Sequence, residues 1–398
     1  MFGFLWRHQP FKAIYILWKL YATGIFWVPL WTAIALVPAF RPRRSWSTLK
    51  TIKVQLIRRL VAVSSVTGPL FSEPDHNNFV PTLNGAGVWV NAAPELIIGP
   101  VKLWASMTGV LPARIPGYWM HPRGSTRNIG SRPVAGEKVL YSLHGGGFTV
   151  GSAYPDHIFS NVARRTMDSS KTVRRAFAIE YRLSKASNGK HENPFPAALI
   201  DALAGYKYLI QVVGFAPEDI VLEGDSAGGG LAISLVRYLV EHRDSGLLPP
   251  PGALLLLSPW VDLGSSHEVP PPPFRIFVAD IDPEPTGWDD CKEAYIGPAL
   301  GQGFADMNPY VSPAAKHPAT DASFSNFPRT FIAAGGAENL LPQIRLLRDR
   351  MVRDLGTEDG GGRVAYYEAE DEPHDYLVFG FEPGTRNTLA RLTNWLDA

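Results

Sequence analysis

The sequence predicts an α/β fold, a mostly parallel central sheet flanked by helices, and three observations carry that prediction. Short apolar runs bounded by glycine, proline and polar residues alternate with longer stretches whose apolar residues recur at three- and four-residue spacing. The stretch Ile220-Val221-Leu222-Glu223-Gly224-Asp225-Ser226-Ala227-Gly228-Gly229-Gly230 sets a glycine-flanked serine between an apolar strand and a helix. A second apolar run, Lys138 to Leu143, ends in His144-Gly145-Gly146-Gly147-Phe148, so another strand opens into three glycines. Strands that alternate with helices argue right-handed crossovers and parallel pairing.

With 398 residues, 45% of them hydrophobic, the chain holds one large α/β domain plus an appendage. A formal net charge of +1 supplies no basic field for nucleic acid, and no zinc-type ligand spacing occurs. Cys291, the single cysteine, cannot close an internal disulfide, and there is no Asn-x-Ser/Thr acceptor site. Both point to a reducing, cytosol-facing location.

The N-terminus differs from the rest. Leu20 to Phe40 is uncharged over 21 residues, which as a helix would reach about 31 Å, close to a bilayer core. Tyr15, Trp18, Tyr21, Trp27 and Trp31 add interfacial aromatics, while Gly24 and Pro29 are expected to interrupt the helix. Residues 11–44 are therefore expected to meet a membrane, either spanning it or lying on it as a hairpin or in-plane helix; packing on the protein's own apolar mouth is the alternative. The run Arg41-Pro42-Arg43-Arg44 follows in place of a small-residue cleavage site, which argues against a signal peptide. The downstream flank is the more positive, so the large domain is expected on the cytosolic side.

Residues 45–113 read as a helical extension, with an amphipathic helix over Leu49 to Val63. The sheet is expected to begin at Ile115 to Met120 and to continue through Lys138 to Leu143, Phe177 to Ile179, Ile220 to Leu222, Ala253 to Leu257, Thr330 to Ala334 and Val364 to Tyr367. Helices are expected over Ala197 to Val213 and from Ala227 to about His242. Residues 264–312, with Pro270-Pro271-Pro272-Pro273, Trp288, Tyr295 and Phe304, break the alternation and read as an insertion.

Two glycine-rich turns carry the chemistry. A serine in a G-x-S-x-G turn between strand and helix projects above the sheet, beside the amides of the new helix. Three glycines after a strand let backbone N–H groups approach a ligand closely, as an oxyanion hole requires. Ser226 is thus the candidate nucleophile, and the amides of Gly146, Gly147 and Ala227 are the candidate oxyanion donors. His144, Gly145 and Asp225 support the two motifs, Asp225 through hydrogen bonds and His144 by bracing the glycine loop. His374, in Glu372-Pro373-His374-Asp375-Tyr376 just beyond the last strand, has the location to close the order serine, acid, histidine.

HGGGF followed by GDSAGG resembles the hormone-sensitive-lipase-like branch of the α/β-hydrolase superfamily, and Glu180-Tyr181-Arg182-Leu183, Pro194-Phe195-Pro196-Ala197-Ala198 with Asp201, and Ser258-Pro259-Trp260-Val261-Asp262-Leu263 extend the resemblance over about residues 114–398. It implies the α/β-hydrolase fold, a carboxylesterase or lipase activity, and a cap formed by the N-terminal region and the 264–312 insertion over an acyl pocket. Residues 1–44, 45–113 and 114–398 are accordingly expected to be membrane-associating segment, cap extension and catalytic domain. Where the family commonly has aspartate followed by x-Leu-x-Asp-Glu, this chain has Glu338 followed by Asn339-Leu340-Leu341-Pro342-Gln343. Glu338 is the candidate acid, with Asp371 and Asp262 as alternatives. The apolar N-terminus with its basic, tryptophan-containing exit resembles esterase-like proteins of filamentous fungi, several of which serve secondary metabolism.

The expected reaction is hydrolysis of a carboxylic ester of a hydrophobic small molecule through an acyl-enzyme, with no metal and no organic cofactor. An amidase, thioesterase or product-releasing hydrolase would use the same triad, and a non-catalytic ligand-binding module on the same fold is the other alternative.

Overall fold

The computed structural model describes all residues except 1–4, 69, 71–73, 75, 82–84, 123, 126, 188, 269–275 and 282–287; the four prolines at 270–273 lie outside the described residues. Its strands are β1 Gly85–Val90, β2 Ile115–Met120, β3 Lys138–Leu143, β4 Val173–Ile179, β5 Lys185–Ser187, β6 Lys190–Glu192, β7 Ile220–Asp225, β8 Ala253–Leu257, β9 Arg329–Gly335 and β10 Val364–Ala369. Eight of them form one sheet in the order β1-β2-β4-β3-β7-β8-β9-β10, and β5 with β6 makes a separate hairpin. Pairing is antiparallel for β1 with β2 and β2 with β4, and parallel from β4 to β10.

The continuous apolar runs of β7 and β8 follow from burial on both faces, because successive side chains point to opposite sides. Leu222, Leu254, Leu256 and Ile332 enter one core with helix Ala227–Glu241 and helix Ala197–Lys207. Val221, Leu255, Leu257 and Phe331 enter the other, against helix Ser160–Ser169 and helix Gly384–Asp397. Each fully buried leucine contributes about 1.5–3 kcal/mol from its removal from water. The two cores fix the height of the sheet's C-terminal edge, where the turns after β3, β7, β9 and β10 gather.

Two expectations are corrected. The sheet does not begin at Ile115: Gly85–Val90 adds an antiparallel edge strand from within residues 45–113, which read as helical. Gly85 and Gly87 dilute its alternation, and at Gly87 a Cβ would collide with the Phe79 ring, so the close packing of that ring requires a residue without a side chain. Nor do Gly24 and Pro29 interrupt the N-terminal helix. Helical backbone runs from Phe11 through Ala35, with one wider π-helical turn at Thr23–Trp27 between the segments Phe11–Ala22 and Val28–Ala35. That turn takes up the backbone mismatch created by Pro29, which has no N–H to donate.

Helix Thr48–Thr67 follows, N-capped by Ser47 Oγ, which accepts from Lys50 N at 3.0 Å. The N-terminal helix docks on it: Trp31 and Ala35 are buried with Phe277 against Ile52 and Leu56. Arg59 donates from Nε to Thr23 Oγ1 and lies over the Trp27 ring. Gln55 in turn clasps the insertion, donating from Nε2 to Val278 O at 2.7 Å and accepting from Val278 N at 3.3 Å. Within the insertion, the described residues include helices Asp289–Ile296 and Gln302–Met307.

Candidate active site

Ser226 sits at the turn between β7 and helix Ala227–Glu241 with φ 49 and ψ −119, a conformation that L-residues rarely adopt. Its neighbours hold it there. Ser226 N donates to Leu257 O at 3.0 Å, and Ser226 O accepts from Trp260 N at 2.8 Å and Gly229 N at 3.0 Å. A Cβ at Gly224 would fall onto the Gly228 carbonyl, and one at Gly228 onto the Leu143 carbonyl, so glycines at both places let the turn close.

Three candidate residues come into one line. His374 Nε2 lies 2.9 Å from Ser226 Oγ, and His374 Nδ1 lies 2.8 Å from Glu338 Oε2. Glu338 Oε1 accepts from Gly335 N at 2.8 Å, which locks the carboxylate at the C-terminal end of β9. The carboxylate accepts from Nδ1–H, and that bonding assigns the tautomer that leaves Nε2 to accept the serine proton. All three side chains are buried. Burial raises the Glu338 carboxyl above its ordinary range, while the hydrogen bond and charge of His374 oppose the shift. The alternative acids bond elsewhere. Asp371 accepts from Ser45 Oγ at 2.5 Å, and Asp262 accepts from Gly264 N at 2.8 Å and Ser266 Oγ at 2.7 Å.

The glycine loop faces the same place. Gly146 and Gly147 have φ 100 and 60, and a Cβ at Gly146 would fall onto the Val150 carbonyl. Gly146 O accepts from Thr149 N and Val150 N, both at 3.1 Å. Because the peptide is planar and trans, that turns the Gly147 N–H the opposite way. Ala227 opens its helix, so its N–H belongs to the first turn, whose donors lack intrahelical acceptors. Asp225 Oδ1 accepts from Gly145 N at 3.0 Å and ties the two motifs together. His144 contacts Gly145 O through Nδ1 at 2.7 Å and stacks on Tyr181, whose hydroxyl donates to His144 O at 2.7 Å. Burial drives the His144 imidazole down to about 3, so it is neutral.

Ser226, His374, Gly146 and Gly147 line a cavity of about 340 Å³. Its far wall comes from the N-terminal region (Arg7, Val61, Ser65) and from the insertion (Ile281, Trp288, Cys291). Arg7 Nη2 meets Asp290 Oδ2 at 2.6 Å, joining the two walls at the rim.

Three residues that sequence reasoning left without a role also shape the site. Asp280, from the insertion, accepts from His374 N at 2.8 Å and Ile281 N at 2.8 Å through Oδ1, and from Asn339 N at 2.6 Å through Oδ2. One carboxylate thereby pins the histidine loop, the acid loop and the cap. No local pattern announces such a residue. Gln343 Oε1 accepts from Val261 N and Asp262 N, both at 2.7 Å, so a neutral amide holds that loop. Asp375, directly after the histidine, has Oδ2 3.3 Å from His374 Nε2.

A family profile described as alpha/beta hydrolase fold matches residues 140–378. An acetyl-hydrolase of Streptomyces hygroscopicus is 37% identical over 135 residues, 33% of this chain and 40% of that protein. The esterase LipU of Mycobacterium tuberculosis is 30% identical over 222 residues, 55% of this chain and 66% of that protein. The chain thus aligns with less than two thirds of either relative. The crystal structure of an esterase from the bacterial hormone-sensitive lipase family superposes with a TM-score of 0.53 at 22% identity, covering 93% of this chain and 97% of that one, a likeness of fold.

Proposed function

Because this chain belongs to the α/β-hydrolase fold family, whose profile spans more than half of it, we propose that it is a serine hydrolase that cleaves carboxylic esters of a hydrophobic small molecule. The observation that carries this reading is His374 standing between Ser226 Oγ at 2.9 Å and Glu338 Oε2 at 2.8 Å. Neutral His374 takes the hydroxyl proton as Ser226 Oγ attacks the ester carbonyl. The backbone N–H groups of Gly146, Gly147 and Ala227 hold the oxyanion, each donor stabilising the transition state by about 2.7–4 kcal/mol. The imidazolium, oriented by Glu338, returns its proton to the leaving alkoxide, and water attacks the acyl-enzyme by the same route. The cavity wall of Val61, Ile281, Trp288 and Phe379 favours an apolar acyl or alcohol group. The relatives named above are bacterial, and their names speak of esters and acetyl groups rather than of a secondary-metabolic pathway.

The test is covalent labelling of Ser226 by an organophosphonate together with turnover of p-nitrophenyl esters graded by acyl length. Labelling and turnover that both vanish in Ser226→Ala support the reading. A well-folded wild type that neither labels nor turns over refutes it.

We also propose that the N-terminal helix attaches the protein to a membrane surface from the cytosolic side. It runs 25 residues, and its most apolar 18-residue stretch has a mean hydropathy of 1.4 with 6% of its residues buried; Leu17, Trp18, Tyr21, Ile25 and Phe26 are exposed. Its other face docks on helix Thr48–Thr67 through Trp31 and Ala35, which favours lying in the interface over crossing it. Flotation with vesicles of mixed neutral and anionic lipid tests this, and a protein that stays wholly at the bottom of the gradient refutes it.

A further inference from the structure

Two oxygens lie close to the reactive nitrogen of His374: Ser226 Oγ at 2.9 Å and Asp375 Oδ2 at 3.3 Å. Asp375 lines the same cavity, is 7% exposed, and its Oδ1 has no hydrogen-bond partner among the described residues. Its backbone lies in the left-handed region at φ 51 and ψ 32, which glycine adopts without strain. The turn therefore does not require a carboxyl there.

We propose that Asp375 is a second carboxyl partner of His374, a positioning residue that competes with Ser226 for Nε2 and sets the pH at which the site becomes active. The inference rests on the serine-hydrolase reading. When Nε2 carries a proton, Asp375 accepts it in a hydrogen bond and stabilises an imidazolium that cannot act as a base. When that proton leaves to solvent, Nε2 has a lone pair for the Ser226 hydroxyl. The proton belongs to the pair, and the pair titrates as a unit.

The carboxyls packed around the pair act in one direction and the cations against it. Glu338 approaches from the loop after β9, Asp280 from the insertion and Asp225 from the end of β7; in their ionised form they favour keeping the shared proton, although burial raises the Asp225 carboxyl to about 8. Burial, followed by the charges of Asp225, Glu338 and Asp280, pushes the Asp375 carboxyl well above its ordinary range, with His374 opposing. Arg7 and Lys185 line the same cavity from its other walls. Arg165 binds the Leu377 and Val378 carbonyls behind the short helix that follows.

The experiment is the pH dependence of Ser226 inactivation by diisopropyl fluorophosphate in the full-length protein, with kcat/KM on p-nitrophenyl acetate measured in parallel. In the wild type the acid-limb midpoint lies above the ordinary histidine value of about 6.5; a midpoint at or below that value overturns the proposal without any variant. In Asp375→Asn the midpoint falls by about one pH unit, so one unit below the wild-type midpoint the rate, relative to its own plateau, rises about fivefold. Asp375→Gly, which suits the left-handed backbone, shows the same shift and covers the case in which the amide disturbs the turn. A gain at low pH is not something loss of structure produces. An unmoved midpoint in a reactive variant overturns the role of Asp375 and leaves the hydrolase reading standing, whereas a wild type that never reacts overturns both.

Discussion

Replacing Glu338 by glutamine keeps the shape of the side chain and removes its charge, and the surroundings decide the outcome. Oε1 accepts from Gly335 N and Oε2 faces His374 Nδ1, both at 2.8 Å. A glutamine has one oxygen for two donors. If that oxygen stays on Gly335 N–H, the amide NH₂ meets Nδ1 and forces the imidazole into the tautomer with its hydrogen on Nε2, which cannot accept the serine proton. If the amide flips, NH₂ confronts Gly335 N–H and a buried donor is left unpaired, at about 1–3 kcal/mol. The first arrangement loses the base, and the second keeps the tautomer only at that cost and without the negative charge that steadies the imidazolium; the same acid-to-amide change in a serine-protease triad lowers kcat about 10⁴-fold. The expectation for Glu338→Gln is therefore a fall in kcat/KM of about 10³–10⁴, equivalent to about 4–5.5 kcal/mol of transition-state stabilisation. The assay is p-nitrophenyl butyrate hydrolysis, with circular dichroism as the check on folding. A folded variant within tenfold of wild type would refute the assignment of the acid and the tautomer argument with it.

Other perturbations have equally definite outcomes. Gly146→Ala places a Cβ against the Val150 carbonyl at a backbone φ of 100; kcat should fall about 10²–10³-fold while KM moves little, and an unchanged kcat would mean that the Gly146–Gly147 amides do not hold the oxyanion. Asp280→Ala frees the His374, Ile281 and Asn339 amides together; kcat/KM should drop at least about tenfold and thermal stability by about 2–4 kcal/mol, read by differential scanning calorimetry. Asp397 ties the last helix to the turn before β4, and hydrogen bonds from Lys171, Ser170 and Thr172 outweigh its burial and hold its carboxyl down to about 2. With the folded value below the unfolded one, its contribution is present above about pH 4 and is lost as the pH falls toward 2. Asp397→Asn should thus lower Tm at pH 7 by an amount worth about 1 kcal/mol, with the difference closing in acid; a Tm gap that persists below pH 2 would show another cause.

The nucleophile turn and the glycine loop were legible because their chemistry is local. Gly224, Ser226 and Gly228 satisfy a strand-to-helix turn within five residues, and the glycines after β3 announce their own backbone. His374 and Glu338 were legible through position, each just past a strand. Elements whose identity depends on distant partners were not. Strand β1 exists because β2 accepts it and Phe79 covers Gly87, facts absent from its six residues. The N-terminal helix survives Pro29 through a π-helical turn that no residue type signals. Asp280 acquires its position only when three loops converge, and it lies in a proline-rich insertion where an acidic residue reads as solvated surface.

Asp280 also couples the outer wall to the catalytic loops. It belongs to the same insertion that walls the cavity and is clasped at Val278 by Gln55, so one insertion both bounds the substrate space and supplies the carboxylate that holds the histidine and acid loops. A substitution that loosens this wall therefore reaches the alignment of Ser226, His374 and Glu338 as well as the shape of the cavity.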